Sequence, residues 1–403
     1  MSLQTMEKQK PPFKFHYGYY DDLHPDYGVN FQMNRWINYL GSQALDDFRE
    51  IASQLTDYPS YIQSFLTLGD KVLSQGRKLH AAYYYRSAEF FMRSDDPRKI
   101  PTRNKFLQLA LEYWGIKDSD RFTIPYEQDS RKISLYAYRF TANQPRGTIV
   151  IFGGSDSYIE EFFPCLMVMV ERGYDIVVFE GPGQGRVLIE QQVPLTAEWQ
   201  KPVKAILDYF ELDDVTAIGI SMGGYMVLKA AAYEPRIKRA IAWDILFNGF
   251  DIWIGKLEPA ERVLLKFLFH LRAASIINAL IGQAMKKSMV VDWGIRQSMY
   301  ILGAKTPYEY LHSLQTSYPD DFFPLIKQDV LLLAGSEDFG IPLDQFYRQI
   351  EALKNVRSLT ARLFTRAEQA QNHCQVGNLE LALDVIMNWI EFTSQHSYTT
   401  QVP

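Results

Sequence analysis

A serine lies between glycines in the segment Gly219-Ile220-Ser221-Met222-Gly223, directly after an apolar run and directly before a helix-forming stretch. This G-x-S-x-G pattern is typical of a sharp strand-to-helix turn, a nucleophile elbow, that exposes the serine hydroxyl. Glycines are needed there because the turn strains the serine backbone and side chains would collide with the neighbouring elements. The backbone N–H of Met222 then points from the helix N-terminus into the same space, where it can stabilise an oxyanion.

A serine hydroxyl needs a base to remove its proton, and histidine is the usual base because its pKa lies near neutrality. Of the seven histidines, two follow the last predicted strand: His373 in a loop at the expected site edge, and His396 in a polar tail. We therefore expect His373 to be the base. Asp338, which also follows a strand, is expected to fix its tautomer and stabilise the imidazolium. Glu337 and Asp244 are the alternatives for this acid.

A second oxyanion donor is expected from the loop that follows the apolar strand predicted over 147–152. Residues 153–157 of this loop read GGSDS, and the two glycines allow backbone N–H groups to approach a ligand closely. The donor is Gly154 or Ser155, and the sequence does not separate the two. The alternative is a plain strand-to-helix turn without a role in catalysis.

Nothing in the sequence indicates a cofactor or a metal. The glycine-rich segment 181–185 lacks both the phosphate-loop spacing and the acidic ribose partner of a dinucleotide site, so it predicts a shaped turn beside the active site. The histidines are scattered, and neither H-E-x-x-H nor paired cysteines occur. Cys165 and Cys374 are expected to be reduced thiols.

The composition predicts a soluble globular protein, with 47% apolar and 22% charged residues and a net charge of −5. This charge favours neither nucleic acid nor an anionic membrane as a partner. Residues 1–13 lack the apolar core of a signal peptide, and the apolar stretch 263–285 is interrupted by Lys266, His270 and Arg272. We expect a cytoplasmic protein that binds a small-molecule or short-peptide substrate and could form a homodimer.

The pattern of apolar residues divides the chain into two predicted domains. Residues 1–120 have helical spacing and predict an accessory domain, whereas residues 121–403 predict an α/β fold with a mostly parallel sheet covered by helices. The predicted strands are 121–127, 132–140, 147–152, 174–179, 215–220, 238–243, 330–334 and 358–364. About eighty residues separate the sixth strand from the seventh where a crossover needs roughly a dozen. A helical cap insertion is therefore expected over 245–325.

The segments 180–185, 219–225, 335–342 and 371–375 together resemble the α/β-hydrolase superfamily, whose triad follows the chain order serine, acid, histidine. The loop 153–157 and the N-terminal helices narrow the resemblance to one branch. This branch includes dihydroxypseudooxynicotine hydrolases, fermentation-respiration-switch-like hydrolases, fungal polyketide-shortening hydrolases, and acylaminoacyl peptidase or dipeptidyl aminopeptidase-type enzymes. The resemblance implies an α/β-hydrolase fold whose N-terminal helices close over the site together with the cap.

The resemblance also implies that Ser221 is the nucleophile, Asp338 the acid and His373 the base. Members of the superfamily often carry a histidine before the first oxyanion glycine, whereas this chain has Phe152. This departure puts the assignment of the loop donor in doubt.

The predicted function is a serine hydrolase that cleaves an ester or amide bond through an acyl-enzyme. An aminopeptidase-like activity is the nearest variant, and the resemblance then implies that carboxylates bind a free amino terminus. Asp156, Glu160 and Glu161 are the candidates, because they lie close in sequence to the predicted oxyanion loop. The alternative for the two glutamates is a solvated first helical turn. Two alternatives for the whole protein are hydrolysis of a C–C bond in a diketone and a non-catalytic scaffold that binds a partner through residues 27–118.

Overall fold

A computed structural model describes residues 13–255, 257–318 and 321–395. Its centre is an eight-stranded sheet in the order β1-β2-β4-β3-β5-β6-β7-β8. The strands are β1 (Arg121–Gln128), β2 (Arg131–Phe140), β3 (Thr148–Phe152), β4 (Asp175–Glu180), β5 (Val215–Ile220), β6 (Ile237–Trp243), β7 (Asp329–Gly335) and β8 (Ser358–Phe364). Strand β2 pairs antiparallel with β1 and β4, and all remaining pairs are parallel. The predicted mostly parallel sheet is confirmed.

Helices cover both faces of this sheet. They are α6 (Phe163–Glu171), α7 (Gly185–Gln191), α8 (Gln200–Tyr209), α9 (Gly223–Tyr233), α15 (Asp344–Ala352) and α16 (Leu379–Gln395). Strands β4, β5 and β7 are buried along their whole length. Parallel strands covered on both faces have no solvent side, which explains their nearly continuous apolar sequences.

Five helices precede the sheet in the chain: α1 (Tyr27–Leu40), α2 (Ser42–Ile51), α3 (Tyr58–Ser74), α4 (Lys78–Phe90) and α5 (Lys99–Trp114). Helix α1 begins at Tyr27 because the Asp26 side chain caps it, accepting a hydrogen bond from the N–H of Val29 at 3.0 Å. One buried apolar cluster continues from these helices into the sheet. The N-terminal helices therefore share a core with the sheet that they cover.

The cap inserted between β6 and β7 consists of α10 (Gly249–Gly255), α11 (Pro259–His270), α12 (Ala274–Lys287), α13 (Met289–Leu302) and α14 (Pro307–Ser317). Helix α13 contacts the N-terminal helices: Trp293 stacks on Phe90 with ring centroids 4.5 Å apart and donates a hydrogen bond to its carbonyl oxygen at 3.0 Å. A Cβ atom at Gly28 would lie 2.0 Å from Val290, so α1 and α13 pack closely at this glycine. Among the helices described, none is long and apolar enough to cross a membrane.

Candidate active site

Ser221 lies at the tip of the turn between β5 and α9. Its φ of 60° is in the left-handed region, which a non-glycine residue occupies only under strain, and its N–H donates to the Trp243 carbonyl at 2.6 Å. A Cβ atom at Gly219 would lie 1.9 Å from the Gly223 carbonyl oxygen, so only glycine permits so tight a turn. The turn therefore presents the Ser221 hydroxyl above the carboxyl end of β5.

Three side chains form a hydrogen-bonded chain at this turn. The Oγ atom of Ser221 is 2.8 Å from Nε2 of His373, and Nδ1 of His373 is 2.6 Å from Oδ2 of Asp338. The other carboxylate oxygen of Asp338 accepts the N–H groups of Gly340 and Ile341 at 2.6 and 3.0 Å. These bonds fix the carboxylate, and the carboxylate fixes the imidazole with its free nitrogen toward Ser221.

The three acids that could orient His373 differ in their distance from its imidazole and in their other partners. Asp244 is also buried beside it, but its Oδ2 atom lies 3.5 Å from Nδ1 and accepts the N–H of Cys374 at 3.1 Å. Glu337 lies at the surface and pairs with Arg366 at 3.0 Å. Asp338 is therefore the nearest orienter. The other histidine that follows the last strand, His396, lies outside the described residues.

Two buried carboxyl groups beside one imidazole perturb each other's protonation. Burial and the nearby charge of Asp338 raise the pKa of Asp244 well above its ordinary range. Burial opposes ionisation of Asp338 as well, but His373 and hydrogen bonds from His373, Asp244 and Ile341 N–H lower its pKa. Burial disfavours the imidazolium, yet the Asp338 charge outweighs it and raises the pKa of His373 well above the usual value. Asp338 thus carries the charge that faces the imidazole.

The loop after β3 lies directly against the turn that carries Ser221. A Cβ atom at Gly154 would lie 2.9 Å from the Met222 nitrogen and 3.0 Å from the Ser221 Cβ. The Gln184 amide donates to the carbonyls of Gly153 and Gly154 at 2.7 and 3.1 Å. Because the N–H of a trans peptide points opposite to its C=O, the N–H groups of Gly154 and of Ser155 point away from Gln184. Gly154 is thus in contact with the turn that carries Ser221 and Met222.

Phe152, which stands where the superfamily often has a histidine, is a core residue. The Phe152 ring is fully buried, with its centroid 5.3 Å from that of Phe179 and 5.4 Å from that of Trp199. It therefore anchors the end of β3, and the loop glycines beyond it keep their position against Met222.

The acidic residues expected to bind a substrate amino group have other partners, and the expectation of a solvated helical turn is wrong. Glu160 and Glu161 are 3% and 0% exposed. Glu161 pairs with Arg35 at 2.5 Å and with Arg86 at 2.6 Å, while Glu160 accepts the Tyr138 hydroxyl at 3.0 Å. Asp156 also lies near an arginine, Arg35, at 3.8 Å. With their charges paired inside the protein, Asp156 and Glu161 are not free to bind a substrate ammonium group, and we do not retain that role.

Aromatic side chains from α1 cover the imidazole. The Phe31 ring centroid is 6.4 Å from that of His373 and 4.7 Å from that of Phe339, and Tyr27 donates to the Asn372 side chain at 3.0 Å. Tyr27 and Phe31 are four residues apart and share one face of α1. The N-terminal helices therefore form the roof of the site beside His373, and sequence periodicity gave no sign of this role.

A narrow cavity of about 30 Å³ lies beside the Ser155 loop, between the N-terminal helices and the cap. Its lining includes Ser155, Tyr158 and Gln184 together with Leu188, Trp293 and Tyr300. So small a cavity has room for roughly one or two water molecules.

Asp244, His373 and Cys374 carry potential metal-ligand atoms within 4.8 Å of one another. The hydrogen bonds described above already use both imidazole nitrogens and the nearer carboxylate oxygen of Asp244. Internal partners thus satisfy these groups, and the arrangement has the chemistry of proton transfer from Ser221 to His373.

Comparison with known proteins agrees with this geometry, although no family model matches the chain. Hydrolase acrC of Aspergillus aculeatus is 27% identical over 328 residues, covering 74% of this chain and 76% of its own length. Hydrolyase poxO of Penicillium oxalicum is 26% identical over 361 residues, covering 83% and 84% respectively. The crystal structure of 2,6-dihydroxy-pseudo-oxynicotine hydrolase matches 83% of this chain and 86% of its own, with a TM-score of 0.55 and 19% identity.

The fold and the similarity to named hydrolases indicate that the protein is an enzyme of the hydrolase class. The chain has an α/β-hydrolase fold and is similar in sequence to curated fungal hydrolases, in agreement with the superfamily that its sequence motifs predicted.

Proposed function

We propose that the protein is a serine hydrolase that cleaves an ester or amide bond through an acyl-enzyme. The observation that carries this proposal is the continuous hydrogen-bonded chain from Ser221 through His373 to Asp338, with distances of 2.8 and 2.6 Å. Such a chain converts a weak hydroxyl nucleophile into an activated one.

In the proposed reaction, Ser221 Oγ attacks the acyl carbonyl while His373 Nε2 takes its proton. The negative charge that develops on the carbonyl oxygen is stabilised by backbone N–H groups of Met222 and Gly154. His373 then protonates the leaving group, and the acyl chain remains on Ser221. Water attacks this ester with His373 again as base, which releases the acid and regenerates the serine.

The direct test is to trap the acyl-enzyme. The protein is mixed with a slowly deacylating p-nitrophenyl ester, and intact mass and peptide mapping are measured after quenching within seconds. We expect a mass increase equal to the acyl group on Ser221, together with a burst of p-nitrophenol. Ser221→Ala should show neither. Hydrolysis that persists in Ser221→Ala would overturn the proposal.

Substrate classes can be separated with a panel of simple esters, aminoacyl anilides and a vinylogous diketone. Turnover of anilides alone would assign an aminopeptidase-like activity, and cleavage of the diketone without the esters would assign C–C bond hydrolysis. The pairing of Asp156 and Glu161 with Arg35 and Arg86 argues against an ammonium site at these carboxylates. We therefore expect the esters to be the better substrates.

A further inference from the structure

The loop that faces the Ser221 turn is attached to the N-terminal helices by two arginines. Arg86 on α4 donates to the Asp156 carbonyl oxygen at 2.6 Å, and Arg35 on α1 donates to the Ser157 hydroxyl at 3.2 Å. Both guanidinium groups come from helices that precede the sheet by many residues. Two separate N-terminal helices thus contact the loop directly after Gly154 and Ser155.

The same two arginines converge on one buried carboxylate. Glu161 is completely buried, accepts Arg35 at 2.5 Å and Arg86 at 2.6 Å, and also accepts the Tyr158 N–H at 2.9 Å. Its backbone carbonyl accepts the Tyr83 hydroxyl at 2.8 Å. Each arginine therefore has two partners here: Arg35 binds the Ser157 hydroxyl and Glu161, and Arg86 binds the Asp156 carbonyl oxygen and Glu161.

The charges of this cluster balance. Arg86 also pairs with Glu89 at 2.6 Å, and Lys99 pairs with Glu89 at 2.5 Å. With Asp156 at 3.8 Å from Arg35, three cations face three carboxylates in a largely buried cluster. Buried ion pairs of this kind add little net stability over an apolar core, because desolvation offsets the attraction. What they supply is a fixed geometry, here for residues 156–158.

On its opposite side, the loop is held from within the sheet domain. The Gln184 amide binds the carbonyls of Gly153 and Gly154, as described above. Gln184 thus fixes the beginning of the loop, and the two arginines fix its end. The N–H groups of Gly154 and Ser155 belong to the two peptide units whose carbonyls Gln184 holds, and the contact with Arg86 follows at the Asp156 carbonyl oxygen.

We propose that Arg35 and Arg86 are positioning residues for the oxyanion loop. They hold its peptide N–H groups at the place that the carbonyl oxygen of the tetrahedral intermediate occupies. Arg86 also lines the cavity beside the loop, and in this role neither arginine contacts the reacting carbonyl group. The inference rests on the proposed serine-hydrolase function, and it gives the N-terminal helices a second task beyond covering His373.

The test compares catalysis with affinity for a tetrahedral analogue. The variants are Arg35→Lys and Arg86→Lys, which keep the charge but lose the two-nitrogen fork. A third variant, Ser157→Ala, removes the hydroxyl that accepts from Arg35 at 3.2 Å and donates to Asp156 at 3.3 Å. A matched control is Arg93→Lys, whose side chain is 62% exposed and pairs at the surface with Asp95. For each variant, kcat and KM on a p-nitrophenyl ester and the inhibition constant of an alkyl trifluoromethyl ketone are measured in the full-length protein.

We expect Arg86→Lys to lower kcat about 10- to 100-fold, since displacing a reacting group by about 1 Å has effects of this size. KM should change less than about threefold, and affinity for the trifluoromethyl ketone should fall in parallel with kcat. Arg35→Lys and Ser157→Ala should show the same pattern with smaller losses, and Arg93→Lys should match the wild type. Near-UV circular dichroism identifies variants that retain the native fold.

Three outcomes would overturn the proposal. The first is that folded Arg35 and Arg86 variants keep wild-type kcat. The second is that they lose kcat without losing affinity for the ketone, which would indicate a purely structural role. If Arg86→Lys does not fold, Arg35→Lys and Ser157→Ala still decide the matter. A wild-type protein that neither hydrolyses the ester nor binds the ketone would instead refute the proposed function, and with it the positioning role.

Discussion

Replacement of the acid beside His373 distinguishes Asp338 from Asp244, which both lie within reach of the same imidazole nitrogen. The distances to Nδ1 are 2.6 Å for Asp338 and 3.5 Å for Asp244. Asp338→Asn keeps the shape of the side chain but removes its charge and can favour the wrong tautomer of His373. Asp244→Asn has a different meaning, because burial and the charge of Asp338 raise the pKa of Asp244 well above its ordinary range and so favour its neutral form.

The size of the Asp338 effect follows from the loss of one charge. Unit charges about 4 Å apart interact by roughly 4 kcal/mol at an effective dielectric constant of about 20. That energy corresponds to about a 10³-fold change in rate. The same substitution in a Ser-His-Asp triad costs about 10⁴-fold in kcat. We therefore expect Asp338→Asn to lower kcat between about 10³- and 10⁴-fold.

Asp244→Asn should be mild by comparison. It replaces a neutral carboxyl with a neutral amide, which can still donate to Asp338 and accept the Ile245 N–H that Asp244 accepts at 2.7 Å. The main loss is the bond from the Cys374 N–H to the other carboxyl oxygen. One such hydrogen bond contributes about 1 kcal/mol, so kcat should fall less than about tenfold.

The assay is the second-order rate of inactivation by a fluorophosphonate, which reports the nucleophilicity of Ser221 without knowledge of the natural substrate. Ester hydrolysis measured in parallel gives kcat and KM. The assignment is wrong if Asp244→Asn loses 10³-fold or more while Asp338→Asn stays active, because Asp244 would then be the charged orienter. Thermal unfolding of both variants checks that each is folded under the assay conditions.

Three further outcomes are expected. The neighbours of His373 raise its pKa, and only the neutral imidazole accepts a proton, so kcat/KM should rise with pH through a pKa above 6.5. In Asp338→Asn this rise should move to lower pH. An unchanged pH profile would contradict the raised pKa. Gly154→Ala puts a Cβ 2.9 Å from the Met222 nitrogen, so kcat should fall about 10²- to 10³-fold with a small change in Tm. Gly28→Ala should raise KM because its Cβ collides with Val290, and adding Val290→Ala should restore KM if the collision is the cause.

The meeting of Ser221, Asp338 and His373 could be predicted because each follows a recognisable strand. In a parallel sheet the carboxyl ends of neighbouring strands lie at one edge, so residues far apart in sequence come together there. The glycine pattern around Ser221 adds a local signal that depends only on sterics. The length of the insertion between β6 and β7 likewise predicted the helical cap, because a crossover needs far fewer residues.

The buried arginine cluster could not be predicted, because Arg35 and Arg86 lie 126 and 75 positions from Glu161, the carboxylate on which they converge. Glu161 reads as an ordinary acidic residue in a first helical turn, and only the packing of α1 and α4 against it shows that it is buried. Helix α1, by contrast, begins at Tyr27, inside the region that the sequence predicts to be helical. A helical pattern does not show which other element a helix packs against, so the contact of Phe31 with His373 could not be predicted from the sequence.

The most direct test of the central claim is fluorophosphonate labelling of the purified protein, with the adduct located by peptide mass spectrometry. We expect a single adduct on Ser221 in the wild-type protein and its loss in His373→Ala, because the imidazole 2.8 Å away activates the hydroxyl. Labelling of Ser221 at an unchanged rate in His373→Ala, or no labelling of a folded wild-type protein, would contradict an activated serine at this site.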